Sequence, residues 1–166
     1  MRAPFLPCLF LTLGCSVSTD TPDEQTTPGT DEPTDTAPTE YADVEAVSFA
    51  GENGAWAFTV TLRSPDVDCS QYADWWEVLT RDGELVYRRI LNHSHPDEQP
   101  FARSGDAMKL EQEDELVVRG HMNELGYGGV AFGGSVAKGF AEDTGIMADF
   151  AAGVESQEPQ VEDCWY

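Results

Sequence analysis

Short runs in which apolar and polar side chains alternate recur along the chain from residue 44 onward. Alternation sends successive side chains to opposite faces, which is the period of a half-buried strand. The clearest run is 56–62, where Trp56, Phe58, Val60 and Leu62 share a face. Runs at 44–49, 75–80, 84–91, 108–111, 116–122 and 130–136 read the same way. In 116–122 the pattern turns Leu116, Val118 and Met122 inward and Val117, Arg119 and His121 outward. Arg81-Asp82-Gly83 separates two of the runs, and Asp-Gly is a strong hairpin signal. A two-residue turn there sets Glu77 opposite Arg88 and Trp76 opposite Arg89. A three-residue turn with a Gly bulge sets Trp76 opposite Arg88 and Val78 opposite Val86. The second register is favoured, because Trp76, Val78 and Val86 then share one apolar face. Either register lays an arginine beside a tryptophan, a cation–π contact of about 0.5–1 kcal/mol where exposed. Ile146 and Phe150 stand at helical spacing after Asp143-Thr144, so a short helix is predicted within 141–153.

About seven strands with turns between them and little helix make an all-β domain. The strand order, with an aromatic start to the 75–80 strand, resembles an immunoglobulin-like or fibronectin-like antiparallel β-sandwich over most of 43–140. That resemblance is one of layout and implies two packed sheets with the C-terminal helix lying on them.

The chain opens with Arg2, an apolar run from Ala3 to Leu13, and the sequence Leu11-Thr12-Leu13-Gly14-Cys15. A run of about a dozen residues is shorter than the roughly 20 a membrane span needs. The pattern resembles a bacterial lipoprotein signal peptide with its lipobox, although Thr12 stands where the family more often has Leu. The resemblance implies cleavage before Cys15, a lipid on that thiol, and a membrane partnership through the lipid. Ser16, in place of the Asp of proteins retained at the inner membrane, points within that family to the outer membrane. Residues 18–40 hold Asp, Glu, Thr and Pro with no Lys or Arg. Such a segment buries too little apolar surface to offset its ordering entropy, so a disordered, extended tether is expected. The organisation is therefore a leader over 1–14, a lipidated Cys and acidic linker over 15–40, and a β-sandwich domain over 41–166.

Charge narrows the partners. The chain carries 31 Asp and Glu against 9 Lys and Arg, a formal charge of -22. A surface for nucleic acid or anionic lipid carries the opposite sign, so both are excluded. Asp66, Asp68 and Asp74 lie close in sequence but do not follow the EF-hand spacing.

Of the four cysteines, Cys8 falls in the leader and Cys15 would carry lipid, which leaves Cys69 and Cys164. In an oxidising compartment that pair is expected as a disulfide pinning the C-terminus to the loop before a central strand. Closing a loop of about 95 residues is worth roughly 4–5 kcal/mol in the chain-entropy model.

All three histidines lie in two segments, His93-Ser94-His95 and Arg119-Gly120-His121-Met122. His93, His95 and His121 could form a three-nitrogen copper or zinc site, with Glu98 or Met122 beside it. The alternative is that they hydrogen-bond their own loops without metal. Arg88, Arg89, Arg103 and Arg119 flank the same segments and could hold a carboxylate ligand, or pair internally with Glu77, Asp97 or Glu98. Enzyme signals are poor. Gly133-Gly134-Ser135-Val136-Ala137 lacks the last Gly of a nucleophile elbow, and no catalytic triad or cofactor motif accompanies it. The segments Trp75-Trp76-Glu77-Val78, Tyr87-Arg88-Arg89-Ile90-Leu91, His93-Ser94-His95, Glu98-Gln99-Pro100-Phe101 and Gly126-Tyr127-Gly128-Gly129 are similar to a set of uncharacterised bacterial exported proteins. That supports the domain boundary. The expectation is an envelope binding module, with metal or small-ligand handling as the alternative and enzymatic activity third.

Overall fold

The computed structural model describes residues 40–165. The leader, Cys8, Cys15 and the linker up to residue 39 lie outside the described residues. Eight strands follow in order: β1 (Asp43–Glu52), β2 (Ala55–Arg63), β3 (Ala73–Thr80), β4 (Leu85–Ile90), β5 (Phe101–Met108), β6 (Leu116–Met122), β7 (Phe132–Ser135) and β8 (Gly139–Glu142). The only helical turn among the described residues is a 3-10 turn, Ala152–Val154. Every pairing between strands is antiparallel. The strands form a three-stranded sheet, β1-β2-β5, and a five-stranded sheet, β4-β3-β6-β7-β8.

The two sheets enclose one apolar core. Phe58, Val60 and Leu62 from β2 meet Trp76 and Val78 from β3 and Leu116, Val118 and Met122 from β6. The inward set expected for 116–122 is therefore the set that packs. Burying each such side chain contributes about 1.5–3 kcal/mol. At one end, Phe140 of β8 stands 5.2 Å from Phe58 and 6.1 Å from Phe49, which ties the fifth strand of one sheet to the other sheet.

Several expectations need correcting. The 108–111 strand is absent, and β5 runs earlier, over Phe101–Met108, where no strand was expected before Met108. Only Phe101 and Met108 of that strand are buried, so its sequence has no alternation to read. Backbone pairing with β2 holds it, and Gly105 lets the Tyr87 and Trp76 rings lie on its backbone. A Cβ at Gly105 would sit 2.6 Å from Tyr87 Cε1. The 130–136 run forms a shorter β7, and β8 follows it in a hairpin that the sequence analysis did not include. The 141–153 helix is replaced by turns and the 3-10 turn Ala152–Val154. Asp143 starts a turn there, accepting from Gly145 N at 3.0 Å, while its carboxylate also faces Arg81. Ile146 and Phe150 still pack down, against Leu79, Val117 and Val154.

The β3–β4 register is also different from the favoured one. The loop has the three-residue form, with Thr80 N bonded to Glu84 O at 2.9 Å and Gly83 at a φ of +85°. One pair later Val86 bulges out, because Leu79 pairs with Leu85 and Val78 with Tyr87. The bulge restores Glu77 opposite Arg88 and Trp76 opposite Arg89. Trp76 and Val78 keep the core face, and Glu77 gains a guanidinium partner across the strand.

Candidate functional site

The C-terminal strap, residues 146–161, covers the outer face of β3 and β6 in the five-stranded sheet. β3 is buried from Ala73 to Leu79 on both faces, and β6 along its whole length. Pairing sets three side-chain rows across this face: Trp75 beside His121, Glu77 between Arg88 and Arg119, and Leu79 between Leu85 and Val117. The strap covers each row with matching chemistry.

Over the apolar row lie Ile146, Phe150 and Val154. Over the charged row lie backbone carbonyls. Glu77, fully buried, accepts from Arg88 Nε at 2.9 Å and Nη2 at 2.7 Å on one oxygen, and from Arg119 Nε at 2.9 Å on the other. Arg88 then donates to the carbonyls of Val154 (2.8 Å), Gln157 (2.7 Å) and Pro159 (3.1 Å). Arg119 donates to the carbonyl of Phe150 at 2.5 Å. A strap with almost no regular structure needs partners for its buried carbonyls, and the two guanidinium groups supply four. Arg88 also lies over Trp75 at 4.3 Å, and Arg119 over Tyr127 at 3.4 Å. Burial, and after it the neighbouring Glu77 carboxylate, pushes the Tyr127 phenol well above its ordinary range. The disulfide Cys69–Cys164, with a Cα–Cα distance of 5.7 Å, fixes the far end of the strap to the loop before β3.

At the third row His121 is stacked on Trp75, 3.7 Å between centroids. Its Nδ1 is 2.6 Å from Asp74 Oδ1 and its Nε2 is 3.3 Å from Glu155 Oε1 on the strap. Burial raises the Asp74 carboxyl, and the hydrogen bond with His121 opposes that rise. This row opens on a polar cleft of about 530 Å³. Both ring nitrogens of His121 already have carboxylate partners.

The other two histidines lie elsewhere, on the loop after β4. His95 is stacked on Phe101 at 3.9 Å, and the His93 ring stands edge-on to it at 4.4 Å. Asp66 knits the loop down, accepting from His95 N at 2.8 Å, Ala73 N at 2.9 Å and Ser64 Oγ at 2.7 Å. The side chain of His95 is only 2% exposed, yet neither ring nitrogen has a hydrogen-bond partner among the described residues. Its nearest carboxylate oxygen, from Asp66, is 3.7 Å from Nδ1, beyond a hydrogen bond. Burial, then Arg103 and His93, hold the His95 pKa below the usual histidine value.

His93, His95, Arg89, Arg103 and Trp165 line a pocket of about 250 Å³. Arg89 donates Nε to Ser104 O at 3.0 Å and Nη1 to Ile90 O at 2.9 Å. Arg103 forks onto Glu98, with Nη2 to Oε2 at 2.7 Å and Nη1 to Oε1 at 3.3 Å. That contact lowers the Glu98 carboxyl pKa. Trp165, 66% exposed, stands at the rim, its backbone N bonded to Asn92 O at 2.7 Å.

The structure thus divides the residues that the sequence grouped. The histidines split into a His93–His95 pair and a separate His121. Among the described residues no three or more His, Cys, Asp or Glu side chains are gathered to hold a metal ion. Arg88 and Arg119 belong to the strap, and Arg89 and Arg103 to the pocket. Asp66 and Asp68 share the loop between β2 and β3, where Asp68 bonds Ser70 and Asp66 holds His95, while Asp74 is on β3 and faces His121. Sequence reasoning missed Trp165 and Glu155 as neighbours of these groups. The disulfide placing Trp165 beside the 91–95 loop was the signal available for the first, and Glu155 had none.

No protein-family model and no solved structure matches this chain. A protein of Halomicrobium mukohataei described as "Putative lipoprotein" is 42% identical to it over 91 residues. The match takes in 54% of this chain and 45% of that relative, so the chain spans under half the relative's length.

Proposed function

We propose that this chain is an envelope lipoprotein, lipidated at Cys15, in which the linker 15–40 ties the membrane to a β-sandwich that binds rather than catalyses. The observation that carries the reading is the relative of 42% identity described as a lipoprotein, joined to the sequence Leu11-Thr12-Leu13-Gly14-Cys15. Ser16 supports an outer-membrane destination. The facing orders β1-β2-β5 and β4-β3-β6-β7 support an immunoglobulin-like layout to which β8 is added. Binding is favoured over catalysis because the polar groups of the outer sheet face are consumed in holding the strap. A half-open basic pocket is left beside them.

The test is fractionation with a clickable fatty acid in the growth medium. The native chain is expected in the membrane fraction carrying label, and Cys15→Ser in the soluble fraction without it. Label-free native protein, or a Cys15→Ser chain that stays with the membrane, contradicts the proposal. Density separation of the two membranes then reads the outer-membrane destination.

A further inference from the structure

We propose that the pocket between Arg89, Arg103, the His93–His95 pair and Trp165 binds a small organic carboxylate, which takes the place of Glu98 on the Arg103 guanidinium. This rests on the sandwich being a binding module and is independent of the lipid on Cys15.

Four observations converge on this pocket. First, Lys and Arg are scarce, nine in the whole chain, and two of them, Arg89 and Arg103, line this pocket together with two of the three histidines. Second, His95 is a buried imidazole with two unpartnered nitrogens. An orphaned buried polar group costs about 1–3 kcal/mol, so a ligand that accepts its N–H removes a standing penalty. Third, the Arg103 fork already holds a carboxylate, which shows that the geometry accepts one. That carboxylate belongs to Glu98, whose side chain is 61% exposed. An exposed ion pair is weak and exchangeable, so Glu98 acts as a placeholder. Fourth, Trp165 presents an exposed indole at the rim, held in place by its neighbour Cys164 and by Asn92 O. An exposed indole beside two guanidinium groups suits a small acid with a short carbon skeleton, and about 250 Å³ admits one of that size. The net negative charge of the chain repels anions at long range, but salt at about 0.15 M screens it within roughly 8 Å and leaves the pocket's own groups in control.

The experiment is calorimetric titration of the full chain in detergent with succinate, citrate and inorganic phosphate. At least one carboxylate is expected to bind one-to-one at millimolar or lower concentration, and phosphate more weakly. Arg103→Gln is expected to weaken binding about tenfold, the worth of one charge-assisted hydrogen bond. Glu98→Gln is expected to tighten it about threefold, because it removes a weak internal competitor. That gain is a result a merely structural Glu98 would not give. Neither side chain is buried, and an unchanged near-ultraviolet circular dichroism spectrum checks that the fold is intact. The proposal is overturned if neither carboxylate binds, if Arg103→Gln binds as the native chain does, or if Glu98→Gln loses affinity. Phosphate binding as tightly as the carboxylates overturns the choice of ligand class. Membrane fractionation of Cys15→Ser is unaffected by any of these outcomes, so the lipid proposal is judged separately.

Discussion

Arg88 and Arg89 are consecutive residues of one strand, and they do opposite work. Arg88 is buried on the outer face of its sheet and uses Nε, Nη1 and Nη2 on Glu77 and three strap carbonyls. Arg89 points the other way, is half-buried, and spends Nε and Nη1 on carbonyls at the sandwich edge. The same division separates Arg119, locked against Glu77 and Phe150 O, from Arg103, which holds an exposed Glu98. A strand's two-residue period alone is enough to turn one arginine into a structural fastener and its neighbour into part of a pocket. Scarce basic residues in an acidic chain are therefore not one signal. Those facing a buried carboxylate hold the fold together, and those facing an exposed one remain open to exchange.

The comparison breaks most sharply at Glu77. Glu77→Gln leaves two buried guanidinium groups without their anion, and a loss of about 3–5 kcal/mol in urea denaturation is expected. A loss below about 1 kcal/mol, the range of a surface pair, would put the row on the same footing as the pocket pair. Next is the clamp. Cys69→Ser with Cys164→Ser is expected to cost about 2–4 kcal/mol and to expose 155–165 to protease, while β3 and β6 stay protected. Equal protection with and without the disulfide would mean that the arginine row holds the strap unaided. The smallest effect belongs to the pocket. Arg103→Gln is expected to leave the denaturation midpoint unchanged, and a large shift would make Arg103 a fastener too.

Much of this division could be read from the pattern of residues. Alternation located β2 and β6 and gave the inward set of β6, because a strand buried against a core on one face must alternate. The same alternation marked Val117, Arg119 and His121 as outward, but it could not show that a strap covers them. That cover comes from residues with no period of their own, held through carbonyls that every sequence has. β5 stayed hidden because its stability lies in backbone pairing and in rings resting on Gly105, neither of which leaves an apolar rhythm. The β3–β4 register turned on a bulge at Val86. An argument from the apolar face alone missed that the bulge sets Arg88 opposite Glu77, on the other side from Arg119 of β6. For the candidate site, the histidines and arginines that the sequence singled out fall in two separate places. Their grouping depends on strand faces and on a disulfide that brings Trp165 back to the loop after β4.

The most direct test of the division is nitrogen-15 NMR of the arginine Nε–Hε groups during a succinate titration. The account predicts that the Arg103 and Arg89 resonances move with the added carboxylate, while those of Arg88 and Arg119 stay fixed and slow to exchange with solvent. Movement of Arg88 or Arg119, or stillness at Arg103 and Arg89, would contradict it.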